Sequence, residues 1–269
     1  MGGDKHLSLY DLDVPPLSRI VWKLDASYNR ELLNEIQREC WIAELKTVSE
    51  GIRRCATVHL RSEYFKEDLE FLNNLDLTFL PIRKCKRVQG FAHKFYDPSP
   101  NEPYDIYGVV STDKRYCEEF KRAHNTSDDQ TIGRLLGYPR CCVKFFIENW
   151  YKSYDPIWRI ALNTPHELTS KDEAVIEEYY PEVNILLRYF GIRAVPHLPC
   201  SFACEKSRDL GESFMEFIDK KHELRNLLSS PITWNCYKGV AIVETKWFIG
   251  VANSMPFKEP HIVIMKGFK

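Results

Sequence analysis

Two short stretches carry the residues best suited to chemistry: Gly137-Tyr138-Pro139-Arg140-Cys141-Cys142 and His197-Leu198-Pro199-Cys200-Ser201-Phe202-Ala203-Cys204. Each sets two cysteines just behind a proline, and each reads as a loop turning into a helix. Gly137 suits a helix stop, because glycine accepts the left-handed conformation there, and Pro139 suits the first turn of the next helix. Backbone N–H groups at a helix start are unpaired and, with the helix dipole, favour negative charge. A cysteine in that position has a lowered pKa and more thiolate character. Thiolates are the ligands of zinc and of iron–sulfur clusters. Four can hold a four-iron cluster, and three can hold one while leaving an iron open to substrate. The expectation is that Cys141, Cys142, Cys200 and Cys204 meet in space as one metal site, with His197 as a further candidate ligand.

The spacing bears on which metal. Adjacent helical residues point about 100° apart, so a regular helix lets only one of Cys141 and Cys142 face a partner well. That disfavours one small tetrahedral zinc and favours a larger iron–sulfur cluster. The spacing also differs from the paired cysteines of a standard zinc finger. Cys200 and Cys204 share a helix face if the helix already includes Ser201. Other readings compete: zinc in place of the cluster, a disulfide or plain buried thiols with no metal, or a metal-free reactive thiol with His197 as base. For His197, a bond to nearby backbone is the structural alternative.

Arg140, Ser201 and Glu205 flank the cysteines and are candidate substrate contacts, although polar residues at helix starts commonly act as caps. Ser111, Thr112 and Asp113 end an apolar run, Asp105-Ile106-Tyr107-Gly108-Val109-Val110-Ser111, and precede a helix. Binding groups of α/β proteins often sit at such a place, so these residues are expected to face the same crevice. Asp113 serves equally as a helix cap. The basic run Arg83-Lys84-Cys85-Lys86-Arg87 could touch phosphate; it also reads as a solvated strand edge guarded by lysines.

The elements that must position these groups follow from periodicity. Ser27 can cap a helix to about Ser49. Strands are expected at Ala56–Leu60, Leu75–Leu80, Asp105–Ser111 and Ile192–Val195, and helices at Ser62–Asn73, Asp113–His124, Gln130–Leu136, from Pro139, at Asp172–Tyr180 and Glu182–Phe190. Ser207–Leu228 reads as one amphipathic helix. From Ile232 the tail reads as β structure: a hairpin around Thr245-Lys246 and a third strand at His261–Met265. The fold class is therefore α/β or α+β, a mixed sheet with several helices and a β-rich C-terminal tail. Residues 1–229 are expected to carry the site, and 230–269 to form a β hairpin or subdomain packed on the same unit.

Composition narrows the function classes. Hydrophobic residues make up 44% of the 269, enough for a sizeable core, and 37 basic residues balance 38 acidic ones. A general polyanion binder would carry a basic excess. No apolar run is long enough to span a membrane, and Met1-Gly2-Gly3-Asp4-Lys5-His6 lacks a signal region, so a cytoplasmic protein is the expectation. No glycine-rich phosphate loop is present. Nine cysteines, five of them scattered (Cys40, Cys55, Cys85, Cys117 and Cys236), do not form a secreted disulfide framework; the scattered five read as small buried residues.

At the cysteine stretches the chain resembles an uncharacterised, mainly archaeal family of conserved proteins. The shared features are Leu135-Leu136-Gly137-Tyr138-Pro139 followed by Cys141-Cys142, then His197-Leu198-Pro199-Cys200 and Cys204. Tyr107-Gly108-Val109-Val110-Ser111 and Asp113 look similar too. The resemblance implies that the cysteines act as a unit and carries no reaction with it. The functional expectation is an intracellular cysteine-ligated metal or iron–sulfur protein, in its catalytic version an enzyme of sulfur or nucleotide-modification chemistry acting on a small molecule or nucleotide. The rival is a binding module whose metal or disulfide staples helices together.

Overall fold

The computed structural model describes residues 19–22, 30–87, 95–150, 157–170, 173–177, 179–229, 231–237, 240–245, 248–253 and 261–265. Among them lie β1 (Arg19–Trp22), α1 (Arg30–Ser49), β2 (Ala56–Arg61), α2 (Phe65–Asn73), β3 (Thr78–Lys86), β4 (Tyr104–Ser111), α3 (Lys114–Asn125), α4 (Asp129–Leu135), α5 (Arg140–Asn149) and α6 (Ile157–Leu162). Then follow β5 (Glu167–Ser170), β6 (Glu173–Ile176), α7 (Glu205–Met215), α8 (Lys221–Leu228), β7 (Ile232–Tyr237), β8 (Val240–Thr245), β9 (Phe248–Asn253) and β10 (His261–Met265). The fold is α+β, with two sheets in the orders β1-β9-β8-β7-β10-β6-β5 and β2-β4-β3.

The larger sheet is mixed, since β10 runs parallel to β6 and antiparallel to β7. The expected tail strands are all present, and they join β1 on one side and β6 on the other. Four expectations are corrected here. Glu173–Ile176 is a strand rather than the start of a helix: Ala174, Val175 and Ile176 are buried and pair with Val263, Ile264 and Met265, partners far away in sequence. Glu182–Phe190 forms two short 3-10 turns, Pro181–Val183 and Leu186–Phe190, and Ile192–Val195 is buried without strand pairing. The expected long helix Ser207–Leu228 is two, α7 and α8. Ser27 lies outside the described residues.

The smaller sheet shows why the chain divides its core. On β4, Val110 and Val109 point to opposite faces, as alternation requires. Val110 packs with Leu45, Val48, Leu60, Leu72 and Leu77, whereas Val109 packs with Cys55, Cys117, Phe120, Leu135 and Leu136. A third and larger cluster joins Ile36 and Cys40 to Phe145, Trp158, Phe202, Phe214 and Trp234. Helix α1 therefore serves two cores, Ile36, Cys40 and Ala43 in the large one, Leu45 and Val48 in the small one. Ile36, Leu45 and Val48, fully buried, each contribute about 1.5–3 kcal/mol. The segment from α4 to α5 crosses between cores too: Leu135 and Leu136 belong to the core under β4, Phe145 to the large one. The first cysteine stretch lies in that crossing.

Candidate metal centre

The turn that delivers Cys141 and Cys142 is set by backbone bonding. Gly137 has φ of +72°, and the bonds from Gly137 N–H to Arg134 O (3.1 Å) and from Tyr138 N–H to Gly133 O (2.8 Å) close α4 as a Schellman motif. A side chain at Gly137 would also collide with buried Arg53, whose Cγ lies 2.9 Å from where a Cβ would stand. Arg53 holds this turn in place. It donates to Thr47 Oγ1 and to the carbonyls of Glu44 and Leu136, and its guanidinium stacks over Phe214 of α7. Pro139 is the N-cap of α5, which places Cys141 and Cys142 in the first turn.

The second stretch arrives differently from the expectation. Helix α7 begins at Glu205 with Cys204 as its N-cap, at φ −75° and ψ 104°. Cys204 is therefore not a turn inside the helix. Cys200 lies in the preceding loop, folded back by bonds from Cys204 N–H to Ser201 O (3.2 Å) and from Ala203 N–H to Ser201 Oγ (3.0 Å).

The four cysteines meet. Their sulfur atoms all lie within 4.8 Å of one another. Cys141 and Cys142 are 3.9 Å apart, and each is 3.8 Å from Cys204. The expectation that only one of the adjacent pair could face the partner stretch is thus corrected. The reason is position: at an N-terminus approached by a capping residue and a loop, the partners can close around the helix end instead of lying along one side. All eight cysteines with described side chains are free thiols, so no disulfide joins the two stretches.

The surroundings treat the four unequally. Cys142 is 1% exposed and Cys204 8%, Cys200 is half-buried, and Cys141 is exposed. Cys142 receives the backbone N–H of Cys200 at 3.3 Å and lies 3.2 Å from Ser207 Oγ. Ser207 in turn lies 2.8 Å from His197 Nε2. The thiols bias one another: Cys204 is pushed down by hydrogen bonds from Cys142 and then Cys200, while Cys142 is pushed up by its hydrogen bonds with Cys200 first and then Cys204. Sulfurs packed this closely cannot all ionise without a cation among them.

His197 does not enter the sulfur cluster. It is buried, with its ring 5.0 Å from that of Tyr138. Burial pushes its pKa down to about 3, with the Cys204 charge opposing, so it is neutral at pH 7. If Cys142 is a thiolate it can only accept, so Ser207 donates to it and Ser207 Oγ accepts from His197 Nε2–H. The other nitrogen, Nδ1, is then a bare acceptor, and it is buried without a partner among the described residues. Ser207 was missed by sequence reasoning. Its signal is spacing: three residues after Cys204, it lies on the same side of the first turn of α7.

A cavity of about 170 Å³ lies against the inner side of the cluster. Cys142 and His197 line it with Leu136, Val143, Phe146 and Leu198, so its walls are mainly apolar.

The flanking candidates take these positions. Arg140 and Glu205 are exposed at the starts of α5 and α7. Ser201 Oγ supports the turn to Cys204 and lies 3.5 Å from Thr164 Oγ1. Ser111 is buried and donates to Arg54 O at 2.6 Å. Asp113 caps α3 through Arg115 N–H and pairs with the Arg115 side chain. The basic run closes β3, an edge strand, with Arg87 one residue past its end, and is partnered within the chain. Arg83 pairs with Asp97, Lys86 with Glu102, and Arg87 with Glu63 and Asp105, while Lys84 stands over the Tyr104 ring.

Fold and site together define an α+β protein with a four-cysteine cluster able to hold a metal ion. A family model described as Protein of unknown function (DUF483) matches residues 116–229, the span that contains all four cysteines. An uncharacterized protein of Methanothermobacter thermautotrophicus is 27% identical over 179 residues, 66% of this chain and 76% of that protein. An uncharacterized protein of Methanocaldococcus jannaschii is 30% identical over 105 residues, 36% of this chain and 49% of that protein. The expected resemblance to an uncharacterised, archaeal-like domain of unknown function is thereby shown. No solved structure matches the chain.

Proposed function

We propose that Cys141, Cys142, Cys200 and Cys204 bind one divalent ion, zinc by preference, and that the ion ties the two cysteine stretches together as a structural centre. The observation that carries this is the sulfur spacing. Four sulfurs about 2.3 Å from a central zinc lie about 3.8 Å apart at tetrahedral angles, and the close pairs are 3.8 to 3.9 Å apart. A four-iron cluster interposes iron and sulfide between its thiolates and holds them farther apart. The donor set fits as well: all-thiolate sites suit zinc, and the N–H and O–H groups at Cys142 would disperse the negative charge of a tetrathiolate shell.

Four thiolates also complete a tetrahedron. Structural zinc sites are closed in this way, whereas catalytic ones keep a position for water or substrate. The cavity beside Cys142 brings few polar groups that could orient a nucleotide. Both points favour the structural reading over an enzyme of sulfur or nucleotide chemistry. Free thiols and a metal–thiolate centre suit a reducing, intracellular compartment.

Purification without oxygen, followed by metal and sulfide analysis and by cobalt substitution, tests the reading. The expected result is stoichiometric zinc, no acid-labile sulfide, and the strong visible bands of tetrahedral cobalt–thiolate. Acid-labile sulfide with iron would establish the cluster instead, and protein free of both would return the site to thiol chemistry.

A further inference from the structure

The four ligands differ in a way that a purely structural centre does not require. Cys142 and Cys204 are buried and Cys200 half-buried, but Cys141 is open to solvent. The donors are unequal too. Cys142 takes a backbone N–H and a serine hydroxyl, which draw electron density from its sulfur. Among the described residues, Cys141 Sγ receives no N–H or O–H donor; its hydrogen-bonding neighbours are the sulfurs of Cys142 and Cys204. Four thiolates around a divalent ion carry a net charge of about −2. That charge is least offset, and most reachable, at Cys141.

We propose that Cys141 is the nucleophilic corner of this centre and accepts alkyl groups from soft electrophiles, a role that rests on the metal reading above. The thiolate form is the nucleophile, and a bound metal keeps a thiol deprotonated at neutral pH. In the step, Cys141 Sγ attacks the electrophilic carbon, a sulfur–carbon bond forms, and the carbon–leaving-group bond breaks. The leaving group departs with the bonding pair. No redox partner is needed. Cys141 becomes a thioether, and three thiolates remain to hold the ion.

The rest of the molecule gives the contrast that makes this readable. Burial pushes Cys40 and Cys117 up to about 11 and Cys55 up to about 12. These thiols are protonated at neutral pH and enclosed, and neither property permits fast alkylation.

Iodoacetamide is the probe, applied to the full chain loaded with zinc, with the adducts mapped by peptide mass spectrometry and the zinc measured before and after. The expected result is one fast adduct at Cys141, formed at least about tenfold faster than at any other ligand cysteine, with zinc retained. Cys141→Ser should remove that adduct, and chelator-stripped protein should lose the selectivity and react at Cys200 as well. A zinc-loaded protein in which Cys141 stays unmodified, or reacts no faster than Cys200, overturns the proposal and leaves the structural metal reading standing. A protein that holds no metal after loading, with adducts spread over the ligand cysteines, overturns both.

Discussion

The cysteine cluster and the basic edge of β3 make an instructive pair. Each is a concentration of one kind of chemistry, four thiols in one case and Arg83, Lys84, Lys86 and Arg87 in the other. Along this edge three of the four cations meet carboxylates of the same chain, and Lys84 meets an aromatic face. The cations stay near water and each finds a separate partner. At the cluster the thiols meet one another, three of them at least half-buried, with the Ser207 hydroxyl and the backbone N–H groups of Cys200 and Ser207 added. Four groups that compete for negative charge share one space, and a cation could satisfy them together. A run of like residues points outward to a ligand when its members converge, and inward to structure when each is separately answered.

The largest expected effect lies at the buried ligands. Cys142→Ala or Cys204→Ala leaves three sulfurs around a buried vacancy that water cannot readily fill, so bound metal should fall to background. Because metal binding to such a site is coupled to folding, Tm should fall with it, as thermal unfolding with and without chelator would show. Cys141→Ala should keep most of its metal, since solvent can take the exposed corner. Equal loss from Cys141 and Cys142 variants would erase the inequality among the ligands.

His197 comes next, through pH. Its folded pKa, pushed down to about 3, lies below the unfolded value of about 6.5. The unfolded chain therefore binds the extra proton as pH falls below about 6.5, and stability is lost in that direction by up to about 1.4 kcal/mol per pH unit until about pH 3. His197→Gln should remove this component. The difference between wild-type and variant unfolding free energies across pH 7 to 4 measures it, and a flat difference would show that the ring is not held neutral by burial.

Ser207→Ala should cost about 10–100-fold in metal affinity, the usual effect of removing a group that hydrogen-bonds a ligand, measured by competition with a chromophoric chelator. An unchanged affinity would mean the hydroxyl turns toward His197 alone. The smallest effect belongs to the basic edge. Arg87→Ala breaks an exposed pair with Glu63 and a part-buried one with Asp105, each worth about 1 kcal/mol or less, and should shift Tm by about 4 °C or less with metal content unchanged. Tight, salt-sensitive binding of a polyanion that Arg87→Ala weakened would break the comparison, since the cations would then be serving a ligand.

Much of this was legible beforehand, for local reasons. The stop at Gly137, the cap at Asp113 and the alternation of Ala56–Leu60 are decided by neighbours in sequence, and local bonding realises them. The tail strands were readable because β-branched runs alternate there. Glu173–Ile176 was misread because its identity depends on pairing with Val263–Met265. Ser207–Leu228 was read as continuous because periodicity does not register the break before α8.

By itself the sequence determined that two proline-led cysteine pairs would stand where loops enter helices, and that charge balance argued against general polyanion binding. Only tertiary structure decided that the pairs face each other. Ligation needs sulfurs within a few ångströms, and the distance between Cys142 and Cys204 is set by Arg53 bridging α1, α4 and α7 and by the cores that flank the turn. Tertiary structure also set the sulfur spacing that favours a single ion over a cluster, and the exposure that singles out Cys141. Those quantities depend on residues remote in the chain, and no local pattern encodes them.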